Sequence, residues 1–480
     1  MFHLNVLKEI SFHQQQQFAA LSGDFNPIHV NPGIARRELF GEIVVHGMHL
    51  VLSALDMVIS QNKTRKPIIM DSVEVKFFSP ALVSRSLIFG IDFDEKLIKV
   101  EIRDAKKSLL SEMMIAYRVE EYFFDDIKPE SFREDQPDDI DLNKVSDLEG
   151  QCDLYLNMEL RDALFPALSG LVDIQLAEML VMTRIVGMKC PGKQSLFSAV
   201  SIFFKKSDTQ AVRYFAKNIV KKFSMVTIGV VGPSLTGELS TFFRPEPTRQ
   251  PSIDQISANI QKNTFKGIRA LIIGGSRGIG ETTAKIIAAG GGKTVITYNL
   301  GKVDAENVCK EITDAGFSSE YLKMDIGNFD SSVEAKFLEF GFNAVFYYPS
   351  PKILRSNTFD TQLFNKFLYY YVEQFENLIR QIRSSTAKDV VVFYPSTINI
   401  TEKTPGFTEY IMSKMAGEYL CESLVRDFKN IKILVERLPR LQTDQTMSLQ
   451  NYPADSTSGV MLPIILRINE IINSFGKSDT

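Results

Sequence analysis

The sequence predicts two architectures in one chain: an α+β amino-terminal part, in which a long helix is followed by antiparallel strands twice over, and an α/β carboxy-terminal part with a doubly wound parallel sheet. Three observations carry this. His46-Gly47-Met48 opens an apolar helical run (HGMHLVLSALDMVI), behind which Val73, Val75 and Phe77 alternate on one face of a strand. The pattern recurs where Ser169-Gly170-Leu171 opens LVDIQLAEMLVM and Val200, Ile202 and Phe204 alternate, a weak internal repeat. Further on, short apolar runs (270–273, 294–297, 344–347, 390–394, 433–436) alternate with helical stretches, the order that gives parallel strands with crossover helices.

The 480 residues suggest two to four domains, and 44% apolar with 23% charged residues is an ordinary globular composition. A net charge of −4 supplies no basic field for a phosphate backbone, which speaks against nucleic acid as a partner. The amino-terminal residues lack the apolar core of a signal peptide, and the most apolar stretch, 163–188, is broken by Asp173, Gln175, Glu178 and Arg184. The expectation is a cytoplasmic chain with no membrane partner. Cys152, Cys190, Cys309 and Cys421 are too scattered for a disulfide framework or a zinc site, so structural thiols and no metal are expected. Two composition shifts cut the chain: an acidic connection at 125–147 and the proline-rich RPEPTRQP at 244–251. The expected blocks are 1–125, 126–250 and 262–480.

All five histidines lie within the first 49 residues, so imidazole chemistry must be built there. In Ser22-Gly23-Asp24-Phe25-Asn26-Pro27-Ile28-His29 a carboxylate and an imidazole flank an Asn-Pro turn and can converge on one water, as acid/base chemistry beside a carbonyl requires. In VVHGM a glycine stands at a helix start, where free N–H groups and the helix dipole can hold an oxyanion. Alone, Asp24 could be a helix cap and His29 a surface histidine. Together, FAALSGDFNPIHVNPGIARRELFGEIVVHGMHLV resembles the MaoC-like, (R)-specific enoyl hydratase/dehydratase family of hotdog folds, through its G-D-x-N-P-x-H and H-G segments. The resemblance covers about the first 125 residues. It implies that Asp24 and His29 form the catalytic dyad, that Asn26 orients it and that the Gly47 N–H holds the thioester oxygen. His46 is open between a structural and a site role, and His3, His13 and His49 are assigned to surface or packing. Because the family pairs its hotdogs and the second block has no histidine, that block is expected to be a degenerate second hotdog that leaves room for an acyl chain.

In the third block, ALIIGGSRGIGETTAKIIA is an apolar strand, a glycine-rich turn and a helix. Gly274, Gly278 and Gly280 allow a tight turn and a close approach to a pyrophosphate at the helix start. Tyr410 and Lys414 lie one helical turn apart and face the same way, with Ser396 ending the strand upstream. A phenol beside an ammonium is expected to have a depressed pKa and to act as general acid to a carbonyl held by the serine. The order of glycine turn, Asp325, Ser396, Tyr410 and Lys414 resembles the short-chain dehydrogenase/reductase family, nearest its 3-oxoacyl reductases, over the last ~215 residues. By that resemblance Tyr410 protonates the substrate oxygen, Lys414 grips the nicotinamide ribose, Ser396 positions the carbonyl and Asp325 meets the adenine. Thr397 fits the spacing as well as Ser396. Ser276, Arg277 and Ile279 complete the cradle, and Thr443 is retained in the nicotinamide loop. The chain departs from the family where Phe346-Tyr347-Tyr348-Pro349 replaces Asn-Asn-Ala-Gly, where LFNKFLYYYVEQF shows no evident relay asparagine, and at Pro439-Arg440. No acid follows the second strand at Tyr298-Asn299, and Arg277 can meet a 2′-phosphate, so NADPH (NADP+) is the expected cofactor.

The reading is an α+β double hotdog followed by an α/β Rossmann-type sheet. It implies a bifunctional enzyme that reduces a 3-oxoacyl thioester and dehydrates the (R)-3-hydroxyacyl product, with substrate on acyl carrier protein or coenzyme A and a homodimer or homotetramer formed through the reductase block. Two alternatives stay open: a catabolic enoyl-CoA hydratase and 3-hydroxyacyl-CoA dehydrogenase, or an active dehydratase with a non-catalytic nucleotide-binding block.

Overall fold

A computed structural model describes residues 2–61, 67–120, 132–328, 339–353, 355–356, 358–449 and 452–475. The chain divides into two compact units, Met1–Glu246 and Pro247–Thr480, with the division inside the proline-rich segment.

The first unit is built on one ten-stranded antiparallel sheet among the described residues. Its first half comprises β1 (Phe2–Glu9), β2 (Ile68–Phe77), β3 (Ser86–Phe93), β4 (Leu97–Asp104) and β5 (Leu109–Val119); its second comprises β6 (Glu149–Cys152), β7 (Ser195–Phe204), β8 (Val212–Val220), β9 (Met225–Val231) and β10 (Leu235–Phe243). From the edges inward the halves read β1-β3-β4-β5-β2 and β6-β8-β9-β10-β7, so one topology is used twice. The two alternating strands legible in the sequence are the central pair: Val73 faces Ile202 and Val75 faces Val200. Each half buries a helix in the common core, Gly47–Ile59 and Asp173–Arg184. The first is apolar on nearly every side and is buried from Met48 to Leu55, as a helix without a polar face must be.

Of the polar residues that interrupt the apolar stretch 163–188, Gln175, Glu178 and Arg184 are buried and Asp173 is partly so, and each has a partner, Arg161 for Asp173 and the Asp153 carbonyl for Arg184. Gln175 accepts from the Met70 N–H and donates to the Met70 carbonyl, both at 2.8 Å, which satisfies the backbone where β2 bulges after Met70. Glu178 accepts from the Ser234 N–H at 2.8 Å and from its hydroxyl. Of the acidic connection, residues 125–131 lie outside the described residues. The rest is mostly exposed, with Pro137 and Val145 buried, and is held at a few points: Phe132 N–H donates to Ala20, Arg184 lies 4.3 Å over the Phe132 ring, and Asp138 pairs by backbone with Met188 and Lys193.

The second unit carries β11 (Arg269–Ile273), β12 (Lys293–Tyr298), β13 (Ser318–Lys323), β14 (Ala344–Tyr347), β15 (Val390–Thr397) and β16 (Ile431–Leu438), all parallel, in the order β13-β12-β11-β14-β15-β16. Alternate residues feed cores on opposite faces: Ala270, Ile272, Phe346 and Phe393 in one, Leu271, Ile273, Val345 and Val392 in the other. This explains why these strands read as unbroken apolar runs. β13 (SSEYLK) gave no such run because it is an edge strand with a largely exposed face. The order reverses between β11 and β14, which opens a crevice at the carboxyl ends of the strands. Among the described residues no helix is long and apolar enough to cross a membrane.

Candidate active sites

In the first unit the Asn-Pro turn ends in the short helix Pro27–Val30, which Asn26 caps. Asp24, His29 and His46 each bring one side-chain atom to a common point, all within 4.8 Å of one another. Asp24 and His46 are buried, His29 partly so, and the two imidazoles stack at 3.9 Å between centroids. Hydrogen-bond partners fix the tautomers. His29 Nδ1 lies 2.7 Å from the Val44 carbonyl, which can only accept, so Nδ1 carries the hydrogen and Nε2 the lone pair. Gln15 Nε2 donates to the same carbonyl at 3.0 Å, which sets the amide so that it also donates to His46 Nδ1 at 2.7 Å. His46 must then carry its hydrogen on Nε2, which donates to the Asp24 carbonyl at 2.9 Å. Gln15 Oε1 accepts from His49 Nδ1 at 3.2 Å. His46 and His49 are thus a buried scaffold, and His29 presents the free base.

Burial, and next the neighbouring His46, lowers the His29 pKa to about 3; burial lowers His46 to about 3 as well. Burial raises Asp24 above the usual carboxylate range, against the pull of His29 and of hydrogen bonds from Thr183 and the Asn26 N–H. Asn26 does two things: its N–H donates to Asp24 Oδ1 at 3.1 Å, and its amide donates to the carbonyls of Gly187 at 2.9 Å and Gly192 at 3.1 Å in the second half. Gly47 is the first residue of the buried helix, where N–H groups stand outside the helical ladder. His3 is exposed and pairs with Asp92 at 2.9 Å. Three contributors escaped the sequence: Gln15 was hidden in a run of four glutamines, and Thr183 and Gly187 belong to a half without histidine, where only their polarity or size in an apolar helix could have drawn notice.

In the second unit the glycine turn joins β11 to the helix Gly278–Ala289. Gly274 has φ +78°, and a Cβ on Gly280 would stand 2.3 Å from the Gly274 carbonyl, so both positions exclude side chains. The turn is a bare backbone cradle at a helix start, and it fits a dinucleotide pyrophosphate. Ser276 is buried there, Ile279 is partly buried and its carbonyl accepts from Thr283, and Thr443 lies against Gly278. Arg277 pairs with Asp444 at 3.5 Å, beside Thr443. Lys352 Nζ donates to the Asp444 carbonyl at 3.1 Å, and burial lowers its pKa to about 8. Asp325 is exposed and accepts from the Gly327 N–H at 3.0 Å.

Tyr410 and Lys414 lie on the helix Thr408–Asp427, but their expected coupling is not what the structure shows. Burial raises Tyr410 to about 12, with a hydrogen bond from Thr397 pulling against it. The Lys414 ammonium donates to the Pro395 carbonyl at 2.6 Å and lies 3.8 Å over the Tyr371 ring. Burial lowers Lys414 to about 7. Its charge is spent on a carbonyl and a π face, and the phenol is not depressed. The Ser396 hydroxyl donates to Glu418 at 2.5 Å, in a group with Arg437, and the next residue, Thr397, is the one whose hydroxyl pulls on the Tyr410 phenol. Successive strand residues face opposite ways, so only one of the two can reach the phenol. Where the relay asparagine was not evident, the helical segment 361–385 makes a π turn at Tyr369–Glu373; the Tyr371 carbonyl accepts from Tyr394 at 3.0 Å and its hydroxyl lies 2.6 Å from Ser350.

Residues 5–104 match the family model described as MaoC like domain, and residues 269–337 match short chain dehydrogenase. The chain therefore joins a MaoC-like dehydratase domain to a short-chain dehydrogenase domain. No curated protein matches it. Similar solved structures include a short chain dehydrogenase from Burkholderia cenocepacia J2315 in complex with NADP (20% identity, 43% of this chain and 92% of the other, TM-score 0.39). Another is FolM alternative dihydrofolate reductase 1 from Brucella suis in complex with NADP (15%, 45% and 90%, TM-score 0.35). A third is acetoin dehydrogenase YohF from Salmonella typhimurium (12%, 41% and 88%, TM-score 0.36).

Proposed function

We propose that the chain is a bifunctional acyl-thioester enzyme: an NADPH-dependent 3-oxoacyl reductase in the second unit and an (R)-3-hydroxyacyl dehydratase in the first, serving a fatty-acid- or polyketide-like biosynthesis with substrate on acyl carrier protein or coenzyme A. The observation that carries the dehydratase is the free Nε2 of His29 beside Asp24, within the segment matched to the MaoC like domain. The His29 Nε2 takes the proton from C2, the Asp24 carboxyl gives its proton to the departing C3 hydroxyl as water, and the N–H groups at Gly47 hold the thioester oxygen as charge develops there. The directions of the two pKa shifts suit this assignment, since an imidazole lowered to about 3 is neutral and a carboxyl raised by burial keeps its proton longer. We read the mirrored strand order as a double hotdog with one site.

For the reductase, the nicotinamide group supplies a hydride when bound. The glycine turn would hold its pyrophosphate, Thr443 its nicotinamide side, Lys414 its ribose and Asp325 its adenine. Thr397 positions the substrate oxygen, and Tyr410 protonates it. A phenol at about 12 is protonated at neutral pH, as the proton donor in reduction must be. The absence of an acid at Tyr298-Asn299, with Arg277 in the turn, supports NADPH over NADH. The test is incubation of the full chain with a panel of 3-oxoacyl thioesters and NADPH, read by mass spectrometry. Both hydroxy and enoyl products are expected. Formation of neither from any chain length overturns the proposal; enoyl hydration without any reduction leaves the second unit a nucleotide-binding module.

A further inference from the structure

We propose that the histidine-free second half of the first unit is a working part of the dehydratase site, with Thr183 as the positioning residue for Asp24. The inference rests on the dehydratase reading above and adds what the second half contributes to it. Thr183, on the buried helix of that half, donates its hydroxyl hydrogen to Asp24 Oδ2 at 2.7 Å. Thr183 is 3% exposed and Asp24 1%, so neither group has water as a substitute partner. The helix then widens into a π turn, Ile185–Lys189, which carries Gly187 past the same carboxylate. A Cβ on Gly187 would lie 2.1 Å from Asp24 Oδ1, so the second half can approach this closely only with glycine there. The Gly187 carbonyl also holds the Asn26 amide, whose own N–H takes Oδ1. Both oxygens of Asp24 are therefore set by contacts that depend on the second half.

The hydrogen bond has a chemical consequence besides orientation. A hydroxyl that donates to a carboxylate favours its charged form, which opposes the effect of burial. The charged and titratable groups around Asp24 are His29, His46 with Nε2 3.7 Å from Oδ2, His49 behind it, Arg184, whose stem lies against Gly23, and Arg244, paired with Glu38 at 2.8 Å. None of these donates to Oδ2 at hydrogen-bond distance as Thr183 does. With the hydroxyl removed, Asp24 holds its proton to higher pH and loses its fixed aim.

The experiment compares wild type, Thr183→Val and Thr183→Ser in the full chain. Two quantities are read: the pH profile of kcat for dehydration of an (R)-3-hydroxyacyl thioester, and the titration of the Asp24 carboxyl carbon by 13C NMR, assigned with Asp24→Asn. The valine variant should lose roughly 10- to 100-fold in kcat through misplacement of the acid. Its alkaline limb and its Asp24 titration should both move to higher pH, while serine stays near wild type. Unchanged kcat with an unmoved titration overturns the inference, and so does a uniform loss at every pH with an unmoved titration, which marks a merely structural threonine. If wild type processes no hydroxyacyl or enoyl thioester, the dehydratase reading fails by itself. The carboxyl titration then still decides whether Thr183 governs Asp24, an unmoved midpoint overturning it and a moved one sustaining it.

Discussion

Tyr410 and its neighbours show how two adjacent hydroxyls take different work. Ser396 is tied to Glu418 and Arg437, and Thr397 to Tyr410. Thr397→Val should therefore lower reductase kcat substantially, whereas Ser396→Ala should leave turnover near wild type and cost about 1 kcal/mol of stability, read by chemical denaturation. The reverse ranking would return the carbonyl-positioning role to Ser396. Tyr410→Phe should lower kcat by roughly two to four orders of magnitude with NADPH binding almost unchanged, measured by single turnover and by fluorescence titration. In the other unit, Asp24→Asn and His29→Ala should each abolish dehydration while leaving NADPH oxidation by a 3-oxoacyl thioester near wild type. The motif residues were legible because each carries its chemistry in its type and spacing. The pairing of Thr397 with Tyr410 was legible only as an option, since spacing allowed either hydroxyl and strand pleat made the choice.

At the scale of elements, the helix Thr408–Asp427 turns Tyr410 and Lys414 inward and leaves Met412, Met415, Tyr419 and Val425 exposed. Met412, Met415 and Tyr419, spaced three and four residues apart, share one outer side, a patch of the kind that soluble proteins cover, and Val425 lies away from it. The homodimer or homotetramer expected through the reductase block would need such a surface. A double variant Met415→Glu, Tyr419→Lys should shift the oligomer toward monomer in light scattering; an unchanged mass would place any interface elsewhere. The helices and strands of the α/β unit were readable because burial on both faces writes them as apolar runs. The edge strand β13 was not, and neither were the few anchors of the largely exposed residues 132–147, the backbone bonds of Asp138 and the Phe132 ring under Arg184.

At the scale of the molecule, the two units differ in how they meet acid. His46 and His49 are fully buried and neutral, His46 lowered to about 3 and His49 well below its ordinary value, chiefly by burial. Once unfolded, each imidazole binds a proton near pH 6.5 that the folded chain refuses until far lower pH, so stability is lost as pH falls below about 6.5, with a slope of about 1.4 kcal/mol per pH unit for each. Raised Asp24 works the other way, because its folded form binds a proton more readily, and offsets part of that loss. The second unit holds no histidine. Calorimetry between pH 7.5 and 5 should show one transition moving down with acid, assigned to the first unit, and a second that moves less; parallel movement of both would contradict the assignment. The His46→Asn variant should flatten the slope of the first.

The central pairing of β2 with β7 has an evolutionary consequence. Two separate copies of one chain that met along such a seam would be bound to mirror every substitution across their axis, so a residue suited to one side would be imposed on the other. Covalent linkage lifts that obligation. Within one chain, the half that carries Asp24 and His29 can specialise in proton transfer while its counterpart gives up imidazoles altogether and evolves Thr183 and Gly187 against the first half's carboxylate. On the proposed reading, the seam lets the chain break its own symmetry, trading a second active centre for a tailored wall on the first.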